Sequence, residues 1–155
     1  MNEERVKQIS GKLHRLASLE SLVQAGTRKL HGMTAAACDA LNQNLVDVQG
    51  HKFLTIVPPV ELGRSHSAWS IRFNQREALE FEVTDGAAPA APSSIAQCAI
   101  RLSSKPCATL HYFKVNHHGL WKTAESDLSQ GVEVSGDMIV DLLEGFFDEE
   151  LARYG

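Results

Sequence analysis

Cys98 and His111 are the two residues of this chain whose types and spacing could support nucleophilic chemistry. The segment around Cys98 sets Cys98, Ile100 and Leu102 in alternation with Gln97, Ala99 and Arg101, and a second extended run covers Cys107 to Asn116. This alternation reads as two strands. If Ser103 to Pro106 is the whole turn between them, Leu102 faces Cys107, Ile100 faces Thr109 and Cys98 faces His111. A thiol beside an imidazole is the minimal arrangement for an activated cysteine, because the base lowers the thiol pKa or takes its proton. The same pair also reads as polar groups inside a ligand cavity, or as a buried histidine bonded to backbone.

A second cluster lies at Gly63 to Trp69, where Arg64, Ser65, His66 and Ser67 bring a base, hydroxyls and an imidazole next to an indole. Such a group can rim a pocket for an anionic or aromatic ligand, and it is equally what a polar loop entering a sheet looks like. Cys98, His111, Trp69, His66 and Arg64 are therefore the candidate ligand-binding residues. No residue is assigned a catalytic role. Phosphate loops, nucleophile elbows, metalloprotease helices, calcium loops and dinucleotide fingerprints are all missing. The sequence leaves enzymatic activity undecided and leans against it.

Seven histidines invite a metal reading, but His117 and His118 are adjacent in a turn, where their side chains diverge, and no third ligand stands at a useful spacing. No metal and no cofactor is expected. The three cysteines, Cys38, Cys98 and Cys107, are odd in number and show no paired spacing, which argues against a disulfide framework. They read as small buried thiols in a reducing compartment.

Composition and charge bound the rest. The chain has 155 residues, 43% hydrophobic and 22% charged, with a mean hydropathy of -0.18. That is one domain's worth of an ordinary globular chain rather than a disordered or fibrous one. No apolar run approaches the roughly 20 residues of a membrane span, and the first residues lack a signal-peptide core. No membrane partner and a cytoplasmic location are expected. The net charge of -4 is unevenly spread. Residues 1 to 32 hold six bases against three acids, and residues 125 to 155 hold nine acids against Arg153 alone. An excess of three bases is a thin footprint for phosphate contacts, so nucleic-acid binding through the N-terminal segment is the lesser alternative.

The elements that must position these residues follow from periodicity. Val6, Ile9, Leu13 and Leu16 are spaced as a helix face, and the series resumes at Leu19, Val23, Leu30 and Met33 after a three-residue skip. His31-Gly32 reads as a break, with Thr34 capping a second helix to about Leu45. A first helix over residues 3 to 30 is roughly 40 Å long and outreaches a small sheet, so part of it is expected to meet a second copy or to form an ordinary core stripe.

After Asp47 the period changes to two. Lys52 to Val57 is strand-like and Pro58-Pro59 stops it. Trp69, Ile71 and Phe73, then Leu79, Phe81 and Val83, read as a hairpin pairing 69 with 83 and 71 with 81, with Arg72 opposite Glu80. Asp85 to Ser94 is a surface loop. The loop 117 to 119 suits a three-residue hairpin with Gly119 left-handed, setting Val115 against Trp121. Ser135 or Asp137 caps a last helix with Ile139, Leu142, Leu143, Phe146, Phe147 and Leu151 on one side and acids on the other.

The expected fold is α+β: N-terminal helices (1 to 46), an antiparallel sheet of five or six strands in hairpins (51 to 134), and a C-terminal amphipathic helix packed on the sheet (136 to 153), as one domain over 1 to 155. Fold alone does not specify function. The leading expectation is a small cytosolic binding or regulatory protein that acts by protein-protein contact and forms a homo-oligomer, another protein being the other partner considered. Leu13, Leu16, Leu110 and Tyr112 are its candidate interface. The alternative is a small-molecule-binding or enzymatic cradle with a pocket near His111 and Cys98.

Overall fold

A computed structural model describes residues 1–44, 53–63, 66–74, 76–86, 94–103, 109–116, 118–123 and 131–155, with the side chains of 109–113 outside the described set. The chain is α+β, with a long N-terminal helix, a curled antiparallel sheet and a C-terminal helix. Its elements are α1 (Glu3–Gln43), β1 (Leu54–Ile56), β2 (Val60–Gly63), β3 (His66–Phe73), β4 (Arg76–Asp85), β5 (Ser94–Leu102), β6 (Thr109–Asn116), β7 (Trp121–Thr123) and α2 (Gly136–Ala152). The strands run in the order β1-β3-β4-β5-β6-β7, with β2 also pairing β3.

The expected pair of N-terminal helices is a single one. Gly32 has nothing within 4 Å of where its Cβ would stand, so its cost is the propensity loss of about 1 kcal/mol, too little to stop a helix packed on both sides of it. Thr34 does not cap; its hydroxyl donates to the carbonyl of His31 at 2.7 Å inside the helix. The true start is capped by Asn2, whose side chain accepts from the backbone N–H of Arg5.

Among the described residues the sheet has seven strands, one more than the larger number expected. The additional one is β2. Pro58-Pro59 interrupts an edge strand instead of ending it, so β1 pairs Ile71 to Phe73 and β2 pairs His66 to Ala68 along the same side of β3. Edge strands tolerate prolines because their outward N–H groups have no ladder to serve. Asn42 guards this edge: its side-chain amide donates to the carbonyl of Leu54 at 2.8 Å and accepts from the Leu54 N–H at 3.1 Å.

The first hairpin is tighter than expected. Trp69 pairs Phe81 and Ile71 pairs Leu79, after which a bulge shifts the ladder so that Arg72 faces Glu77 and Phe73 faces Arg76. The extra residue is Ala78, buried beside Leu79, and Asn74 in the two-residue loop has a positive φ of 48°. Arg72 therefore meets Glu77 at 3.8 Å and not Glu80. The last hairpin agrees with the sequence reading: Val115 pairs Trp121 and Gly119 has a φ of 75°. Asn116 accepts from the backbone N–H groups of His118 and Leu120 through its side-chain oxygen, closing the turn.

One core joins α1, the inner sheet face and α2. α1 crosses the sheet from β7, where Trp121 bonds Gly26, to β1, where Asn42 bonds Leu54. α2 packs against α1 as well as β4, and its Phe146 and Phe147 meet Phe73 edge-on at 6.2 and 6.5 Å. Ile139, Leu143 and Phe146 are buried, whereas Leu151 lies beyond the packed stretch and is exposed.

Candidate functional site

The strand register decides the proposed thiol and imidazole pair. Cys98 lies opposite Phe113 on β6 and opposite Val83 on β4, while His111 lies opposite Ile100. Cys98 and His111 are therefore not cross-strand partners, and the pairing drawn from a four-residue turn is corrected. The ladder is offset by two residues from that reading, with a bulge at Ile100/Arg101. Cys98 has no exposed surface, so no water-sized space adjoins its thiol. Burial pushes the thiol pKa well above its ordinary value, the reverse of what a nucleophile needs. Its Sγ approaches the Ala99 carbonyl at 3.8 Å.

Trp69 and His66 stand on opposite sheet faces, because they are an odd number of positions, three, apart in one strand. Trp69 points inward, 4% exposed, stacked on Phe81 at 5.3 Å and edge-on to His31 at 5.6 Å. Among the described residues its indole N–H has no hydrogen-bond partner. His31 in turn lies 3.3 Å from the Val57 carbonyl through Nε2. On the outer face, His66 Nε2 is 3.6 Å from Glu82, and Arg101 is 3.7 Å from the same carboxylate. Nearby Glu80 has its carboxyl pKa raised, first by burial and then by its neighbour Glu77. These contacts tie β3, β4 and β5 together across the outer face. Of the five candidate ligand residues, Trp69 and His66 stand on opposite faces, and Arg64 and the side chain of His111 lie outside the described residues.

The candidate interface divides in the same way. Leu110 and Tyr112 have side chains outside the described set. Leu13 and Leu16 are 66% and 52% exposed, and Val6 and Ile9 beside them are 44% and 52% exposed. All of residues 1–18 are exposed, so about the first four turns of α1 extend past β7 without a covering surface from the described residues. Its charge is mixed, with Glu3 and Glu4 at the tip and Arg5, Lys7, Lys12 and Arg15 behind them.

A feature the sequence did not reveal is an apolar pocket of about 350 Å³ lined by Leu41, Phe53, Leu54, Phe73 and Phe147. Four elements and one flanking residue build it, and no local pattern joins them. Among the described residues no group of three potential ligands is placed to hold a metal ion, and no helix is long and apolar enough to cross a membrane. Comparison of the chain with protein-family models, curated proteins and solved structures found no match.

Proposed function

We propose that this chain is a small cytosolic binding protein that acts by protein-protein contact through the free half of α1, and that it self-associates. The observation that carries the reading is the exposed apolar face formed by Val6, Ile9, Leu13 and Leu16. A solitary helix of this length is marginal in water, and Gly11 weakens it by about 1 kcal/mol more. A covering partner supplies the missing stabilisation, since each such side chain is worth about 1 to 2 kcal/mol when buried.

Lysine cross-linking in extract from expressing cells tests the role. Intermolecular links from Lys7 or Lys12 are expected, and they are expected to vanish in Leu13→Glu/Leu16→Glu. Links from these lysines only to residues of the same chain would overturn it.

A second reading is favoured by the pocket beside Phe73: a small apolar ligand held among Leu41, Phe53, Leu54 and Phe147. A native mass spectrum of gently purified protein tests it. Added mass of a few hundred daltons that Phe73→Ala removes supports it, and bare chain mass throughout counts against it.

A further inference from the structure

Positions 6 to 41 of α1 carry one unbroken series in alternating steps of three and four residues, running from Val6 through Glu20 to Leu41. The skip inferred from apolar residues alone disappears once Glu20 stands in the series in place of Leu19, and Thr27 and Thr34, both buried and hydrogen-bonded to the helix's own carbonyls, continue it. From Val23 to Ala37 every position of the series is buried; from Val6 to Leu16 every one is exposed. This is a single seam with half its length covered. A repeat of 3.5 residues is the spacing that keeps a helix facing another helix.

We infer that the free half of this seam is covered by the same half of a second copy of this chain, laid antiparallel so that Val6 faces Leu16 and Ile9 faces Leu13 of the other copy. A parallel pair is disfavoured by the covered half: both sheets would lie on the seam side at the same end and compete for one space. The antiparallel pair puts them at opposite ends, and its register fits the length of the free segment. It sets the Asn2 cap of one helix against Glu20 of the other, immediately before Val23, the first fully buried position of the seam. Each helix then begins beside the point where the other copy's seam becomes buried. The contact uses the same patch on both copies, so the assembly closes as a two-fold dimer.

This inference rests on the contact role proposed above for α1. It is tested with purified full-length protein by native mass spectrometry over a dilution series, together with disulfide trapping of Ile9→Cys and Leu13→Cys variants. The expected result is a concentration-dependent dimer that Leu13→Glu reduces to monomer while the circular dichroism of the sheet and its unfolding transition persist. In trapping, a mixture of the two variants forms a mixed disulfide between them, and neither variant alone cross-links to itself. Self-cross-linking of each variant would overturn the antiparallel register. A monomer at every concentration, alongside intermolecular lysine links in extract, would overturn the second copy as partner and leave the contact role standing. A monomer with no such links would overturn both.

Discussion

The indole Nε1 of Trp121 donates to the carbonyl oxygen of Gly26 at 2.7 Å, tying β7 to the middle of α1 from 95 residues away. The bond forms because residue 26 has no side chain: a Cβ there would stand 3.3 Å from the same Nε1. Upstream of this point the helix leaves the sheet, with Val23 its last buried seam residue. The clamp thus sets where the covered half of α1 ends and the free half begins.

Gly26→Ala is therefore expected to destabilise the fold even though alanine is the better helix former. The gain in helix propensity is about 1 kcal/mol, and displacing a packed, hydrogen-bonded indole costs about 1 to 3 kcal/mol. A net loss of about 1 kcal/mol is expected in urea unfolding. Trp121→Phe, which removes the donor and part of the ring, is expected to cost about 2 kcal/mol. A Gly26→Ala variant more stable than the parent would show that the indole does not depend on this approach.

The two halves of the seam are expected to respond oppositely to truncation. Leu30 is fully buried, and Leu30→Ala is expected to cost about 2 to 5 kcal/mol. Leu13→Ala and Leu16→Ala, measured at concentrations too low for association, are expected to change stability by less than about 0.5 kcal/mol. Equal losses in both halves would mean that the arm is packed against its own chain.

The thiols give a pH dependence with a definite sign. Burial, reinforced by neighbouring Asp39, raises the Cys38 pKa from its ordinary value of 9.0 to about 11. Above pH 9 the unfolded chain releases this proton before the native state does, so stability falls as pH rises from about 9 toward 11. Below pH 9 the thiol is protonated in both states and contributes no slope. Urea midpoints across this range are expected to decline, with a shallower decline for Cys38→Ala. Cys98 adds to the same alkaline trend. In the folded protein at neutral pH it is expected to react with iodoacetamide more slowly than a free thiol, and labelling at or above the free-thiol rate would contradict its burial.

Much of the architecture was legible in the sequence because periodicity is a local signal. The alternation at Trp69, Ile71 and Phe73 marked β3, the glycine at 119 marked the last turn, and the apolar face from Ile139 to Phe147 marked α2. The candidate site was less legible. A shift of two residues in one ladder moved Cys98 away from His111, and Ala78 in a bulge moved Arg72 from Glu80 to Glu77. Registers of this kind are set by turn length and bulges, which the alternation of side chains does not report.

The identity of most strands and of α2, and the apolar face of α1 from Val6 onward, were determined by the sequence itself, since each depends on neighbours a few residues apart. Which half of that face is buried was decided only by the tertiary structure. The sheet and α2 together bury the seam from Val23 to Ala37, with Leu19, Leu22 and Leu41 partly buried at its ends, so identical spacing ends as core at Leu30 and as exposed surface at Leu13. The buried threonines belong with that decision. Thr27 and Thr34 look polar in sequence, yet each satisfies its hydroxyl on the helix backbone and so fits the core at a seam position.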